Sequence, residues 1–154
     1  KDGAQHIFLD GTDVSTEIRQ EEVGKNASVV AKNQAVRNRL LALQRQMAEK
    51  QDVIMDGRDI GTVVVPEAEV KIYLDAGVEE RARRRVGELQ EKGETADFEE
   101  IKKMILERDY NDMHRAHSPL KRAADAVSLD STGMGIDAVL QAILDIVAER
   151  VKEK

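Results

Sequence analysis

Asp56-Gly57-Arg58-Asp59 puts a forked donor and a carboxylate acceptor side by side. The planar guanidinium of Arg58 matches the oxygens of a phosphate, and Asp59 matches an exocyclic amine. The same residues also read as an ordinary solvated loop. Further along, Arg108, Asp112 and Arg115 fall within roughly 60° of one another if one helix carries all three. An aspartate between two arginines stays ionised and orients both guanidinia. Such a face suits sugar hydroxyls and a phosphate, and equally describes a salt-bridged surface. Arg81, Arg84 and Arg85 share a third face, just before Lys92-Gly93-Glu94-Thr95. Arginines beside a mobile loop suit a lid that closes over transferring phosphates. Glu79 and Glu80 offer the same arginines a plainer role, as partners on a charged solvated helix.

Other patterns are weaker. Gly133-Met134-Gly135-Ile136-Asp137-Ala138 fits G-x-G-x-x-A, a dinucleotide fingerprint, but only about 16 residues follow it. That is too few for the second strand and ribose-binding acid such a site needs, so it reads as a loop and a helix start. No glycine begins G-x-x-x-x-G-K-[ST], so no backbone cradle for ATP phosphates is encoded in these 154 residues. His114 and His117 are spaced to share a helix face, yet lack further ligands and read as a wet helix end, with no metal site expected. There is no cysteine, which excludes disulfides and thiolate chemistry and fits a reducing, cytoplasmic setting. A net charge of −6 and only two Tyr and two Phe argue against a nucleic-acid polymer as partner. Local arginine clusters still permit a small phosphate ligand. No apolar run approaches the roughly 20 residues that span a bilayer, and no membrane partner is expected.

These groups need elements to position them. His6-Ile7-Phe8-Leu9 and Asp13-Val14-Ser15 flank Asp10-Gly11, a hairpin turn signal. Residues 16–32 carry a loose helical stripe. Asn33 can cap a second helix over 35–50, with Val36, Leu40, Leu43 and Met47 at helical spacing. Val53-Ile54-Met55 reads as a short buried strand ending in the polar loop 56–62. Residues 70–74 give a second strand, 78–91 a helix, and Asp97 caps a helix running to about Arg115. Residues 126–129 give a third strand and 136–151 a last amphipathic helix. Short apolar strands alternating with helices predict a parallel α/β core. Ligands of such sheets bind beyond the carboxyl ends of the strands, where 56–62 and 130–132 fall. The first 50 residues form a separate α+β lobe.

In order and spacing, four segments resemble bacterial cytidylate kinases. They are Asp56-Gly57-Arg58-Asp59-Ile60-Gly61-Thr62, Val70-Lys71-Ile72-Tyr73-Leu74, Glu107-Arg108-Asp109-x-x-Asp112-x-x-Arg115, and Leu129-Asp130-Ser131-Thr132. Leu9-Asp10-Gly11-x-Asp13-Val14 and Glu17-Ile18-Arg19 resemble that family's monophosphate-binding lobe. The likeness runs from about His6 to about Val147.

The resemblance implies a P-loop-kinase-like α/β fold, truncated at its amino terminus. It has a CMP-binding lobe over 1–50, the remaining kinase core over 51–154 and a lid over about 81–96. It implies phosphoryl transfer from ATP, with Mg²⁺, to CMP or dCMP in pyrimidine metabolism, by a monomeric cytoplasmic enzyme. Ser28, Arg37 and Asp59 would read cytosine. Ser28 and Arg37 lie nine residues apart, on opposite faces of one unbroken helix, so the break near Asn33 is required. Arg58 would hold the CMP phosphate, Arg108 and Asp112 the sugar, and Arg115 the phosphates. Arg81, Arg84 and Arg85 would belong to the lid, and Ser131 and Thr132 would lie near adenine. The family's first strand, Walker loop and first helix, roughly 30 residues or more, have no counterpart here. These residues alone are therefore expected to be inactive or nearly so. Two other readings are a non-catalytic CMP-binding module, which keeps CMP affinity without ATP affinity, and a structural remnant domain, which keeps neither.

Overall fold

A computed structural model describes residues 6–30 and 33–152. The chain divides into two compact units, Lys1–Asp52 and Val53–Lys154.

The first unit opens with a hairpin of β1 (Phe8–Leu9) and β2 (Thr12–Asp13), paired antiparallel with Phe8 opposite Asp13. Asp10 and Gly11 form its two-residue turn, both at positive φ (50° and 83°). That geometry is why the turn needs this dipeptide. The helix expected over 16–32 is divided. A 3-10 turn at Glu17–Arg19 ends where Gln20 becomes extended (ψ 144°). The Gln20 carbonyl then accepts from Gly24 and starts α1, Glu21–Val30. Residues 31 and 32 lie outside the described set. Asn33 is extended, and its Oδ1 accepts from the amides of Ala35 (2.9 Å) and Val36 (3.4 Å), capping α2, Gln34–Lys50. The predicted cap is therefore present, because it is a purely local device.

The second unit is α/β. β3 (Ile72–Asp75) and β4 (Val127–Asp130) pair in parallel, with Tyr73 opposite Ser128 and Asp75 opposite Asp130. Parallel strands need a long crossover. Here α3 (Val78–Glu91) and α4 (Phe98–His114) lie between them in sequence and pack on each other. The Asp97 side chain accepts from Glu100 N at 2.9 Å and caps α4. α5 (Ile136–Lys152) follows β4. Strand alternation puts Tyr73, Asp75, Ser128 and Asp130 on one face of the pair. Among the described residues the buried apolar groups are Val64, Ala76 and Ala82.

Val53-Ile54-Met55 departs from expectation. It pairs with no strand among the described residues, and Ile54 is fully exposed. A strand exists through its ladder, and an apolar triplet without one stays irregular. Past it, Ile60–Val64 forms a single π-helical turn, in which the Asp59 carbonyl accepts from Val64 N at 3.2 Å and the Ile60 carbonyl from Val65 N at 2.8 Å.

Candidate functional site

The loop at 56–59 is tied to the end of α4. Arg58 Nε donates to Asp112 Oδ2 at 2.8 Å across 54 residues of sequence. Beside it, Arg115 Nη2 lies 3.9 Å from Asp59 Oδ2. Arg115 Nε donates to the Ser118 carbonyl at 2.5 Å. Arg115 Nη2 is shielded from solvent and has no hydrogen bond among the described residues. A shielded guanidinium N–H is costly without an acceptor, and an anionic oxygen would satisfy it. Gly57 keeps the loop close, since a Cβ there would come within 2.9 Å of Ile60 Cγ1.

This arrangement corrects the helix-face expectation. Arg108, Asp112 and Arg115 do not form one helical face, because α4 ends at His114 and Arg115 is extended (ψ 143°). Asp112 accepts from Arg58 instead of standing between Arg108 and Arg115 on one helix face. Arg108 is exposed, and its side chain makes no hydrogen bond or ion pair among the described residues. His114 stacks on Tyr110, with ring centroids 4.0 Å apart.

The α3 arginines are held in different ways. Arg81 makes a two-point pair with Asp109, Nη1–Oδ1 at 3.0 Å and Nη2–Oδ2 at 2.6 Å, while its Nε donates to the Ala76 carbonyl at 2.9 Å. The Asp109 hydrogen bonds raise the Arg81 pKa further above its already high value. Arg84 Nη2 donates to the carbonyls of Ser131 (2.6 Å) and Met134 (3.3 Å), and its Nε donates to Glu80 (3.0 Å). Arg85 is exposed and pairs with Glu88 at 2.9 Å.

Ser131 and Thr132 clasp the carboxyl ends of the strands. The buried Ser131 donates from both N (2.8 Å) and Oγ (2.9 Å) to the Asp75 carbonyl. Gly77 N donates to Thr132 Oγ1 at 2.8 Å, and that hydroxyl donates to Asp130 Oδ1 at 2.6 Å. The two Thr132 hydrogen bonds hold the Asp130 carboxyl below its usual pKa. A cleft of about 480 Å³ opens here, lined by residues including Tyr73, Asp75, Gly77, Arg81, Asp130 and Thr132. It lies at the carboxyl ends of parallel strands, where ligands of such sheets bind.

Ser28 and Arg37 belong to the first unit, in α1 and α2 respectively, with the break at Asn33 between them. Arg37 is half-buried. Sequence reasoning passed over Asp109, although it lies inside the motif around Arg108. Its partner is 28 residues away on another helix, and no local spacing announces that. It also passed over Lys71, which is almost buried and bonds the Pro66 carbonyl and Asp125. Among the described residues no three His, Asp or Glu side chains converge as a metal-ligand set. No helix among them is long and apolar enough to cross a membrane.

A parallel strand pair with helices between its strands, and polar loops at the carboxyl ends, is the layout of P-loop-kinase-like α/β proteins. The family model described as cytidylate kinase matches residues 1–149. A cytidylate kinase of Lactobacillus gasseri is 49% identical over 152 residues, covering 99% of this chain and 66% of that protein. One from Leuconostoc mesenteroides is 51% identical over 147 residues, covering 96% and 66%. One from Streptococcus pyogenes is 52% identical over 143 residues, covering 93% and 63%. The chain belongs to the cytidylate kinase family. It spans about two thirds of the length of the curated relatives it matches.

Proposed function

We propose that this chain is the acceptor-binding and lid-bearing part of a nucleoside monophosphate kinase that moves the γ-phosphoryl group of ATP onto CMP or dCMP. The observation that carries this reading is the pairing of Arg58 with Asp112 beside Arg115, whose shielded Nη2 lacks an acceptor. An oxygen of the CMP phosphate attacks the γ-phosphorus. The bond from that phosphorus to the β,γ-bridging oxygen breaks, giving CDP and ADP. The transition state spreads charge over the equatorial oxygens, and oriented arginines are the groups that answer it. No covalent intermediate or strong base is needed.

In this reading Arg58 and Arg115 hold the acceptor phosphate, and Arg108 and Asp112 the sugar. Asp59, with Ser28 and Arg37, reads the base. Cytosine presents an amine donor beside acceptors, so it wants a carboxylate and an arginine together. Arg81, Arg84 and Arg85 belong to the lid region, and Ser131 and Thr132 lie toward adenine. Mg²⁺ arrives with ATP, and no step is assigned to a metal held by these residues. We infer that the cradle for the ATP phosphates belongs to the share of the family's length that this sequence does not span.

The first test is calorimetric titration of this chain with CMP, UMP and ATP. Saturable CMP binding, weaker UMP binding and no ATP binding are expected. Absence of CMP binding would sink the reading. CMP binding by an otherwise complete enzyme that fails to phosphorylate it would leave a binding module.

A further inference from the structure

The hydrogen bond between Arg58 and Asp112 has a direction that matters. Asp112 takes the guanidinium from its side, at Nε. The outer Nη edge, the one that meets two phosphate oxygens at once, is left open to a ligand. Arg58 is 40% exposed at its side chain and Asp112 21%. Asp112 Oδ1 carries no hydrogen bond among the described residues, so the carboxylate has a second oxygen to offer.

The carboxylate end of this pair is held by its helix. Asp112 sits in the last turn of α4, where its carbonyl accepts from Leu120 N at 2.8 Å. Arg58 sits in a loop whose next residue opens the π-helical turn. A long side chain on such a loop samples many rotamers unless something fixes it.

We propose that Asp112 is a positioning residue for Arg58, fixing the guanidinium so that its outer edge receives the phosphate of the monophosphate ligand. This rests on the proposed reading that Arg58 holds that phosphate, and adds to Asp112 a role distinct from any contact with the sugar. Simple Coulomb reasoning makes the opposite prediction. A carboxylate next to a phosphate repels it, so neutralising Asp112 should strengthen phosphate binding. Positioning predicts that it weakens.

The experiment measures CMP and cytidine affinities calorimetrically for the wild-type chain, Asp112→Asn and Asp112→Glu. The ratio of CMP to cytidine affinity isolates the phosphate, because any sugar contact cancels. Positioning predicts that the ratio falls about tenfold in Asp112→Asn, the scale of one charge-assisted hydrogen bond. Arg58→Ala should lower the ratio by itself, and adding Asp112→Asn should lower it little further. An unchanged or higher ratio in Asp112→Asn would overturn the inference while CMP binding by the wild type keeps the reading alive. Absence of CMP binding by the wild type overturns both. Amide spectra check the fold of each variant. If Asp112→Asn does not fold, Asp112→Glu carries the comparison, since it keeps the charge but displaces the oxygen. A lowered ratio supports positioning there, and an unchanged one refutes it.

Discussion

At the scale of single residues, the chain separates charge from geometry. Arg58 and a lysine in its place carry the same charge, yet a lysine cannot hold Asp112 and present a planar fork at once. Arg58→Lys is expected to weaken CMP binding about tenfold, the loss of roughly one charge-assisted hydrogen bond, in a calorimetric titration. Retained affinity would mean that charge alone suffices. The site's residues were legible in the sequence as types, but not as pairs. Arg58 and Asp112 stood out by their motifs, while their bond spans 54 positions and depends on how α4 packs. Arg115 misled because a helix ending one residue sooner takes it off the shared face.

At the scale of elements, what was local was legible. Asp10-Gly11, Asn33 and Asp97 act on the backbone beside them, and each does in the structure what its residue type prescribes. Val53-Ile54-Met55 was not legible, since an apolar triplet carries no information about whether a neighbouring strand accepts it. Removing the α4 cap with Asp97→Ala should cost about 1 kcal/mol, read as a lower midpoint in urea with an unchanged slope. A wild-type midpoint would mean that packing against α3 alone sets the helix start.

The hairpin offers a pH test. Asp13 accepts from Ser15 N and Oγ and faces His6 Nδ1 at 2.7 Å, and these hydrogen bonds, those of Ser15 foremost, pull its pKa down to about 2 from 3.8. A depressed carboxyl pKa stabilises the folded form above the unfolded pKa, and the benefit fades as pH falls through the folded one. The amide of Ile7, which donates to Ser15 Oγ, should lose its native chemical shift between about pH 4 and about pH 2. A shift that is constant across that window would show that Asp13 does not hold the hairpin.

At the scale of the whole molecule, the chain divides into two units after Asp52, and each leaves large apolar side chains exposed. Phe8, Leu9 and Val29 do so in the first unit, and Ile54, Ile136 and Leu140 in the second. Lys50 is exposed at the last position of α2, next to the extended Gln51. Limited trypsin digestion should cut after Lys50 before it cuts after Arg81 or Lys71, whose side chains are engaged in ion pairs. Mass spectrometry of early time points reads the order. Early cuts at Arg81 or Lys71 would mean that the second unit opens more readily than the connection between the units.

The side-chain tethers of α3 are unevenly distributed along the helix. Its first two turns are tied through Arg81 to Asp109 and through Arg84 to the segment after β4, while Arg85 pairs, among the described residues, with Glu88 on its own helix. Beyond it the helix ends in a loop whose Gly93 sits at φ 78°. In the proposed lid reading, the stretch of α3 beyond Arg84 is the part these side-chain tethers leave free to move, and Arg81 and Arg84 mark the base of the lid.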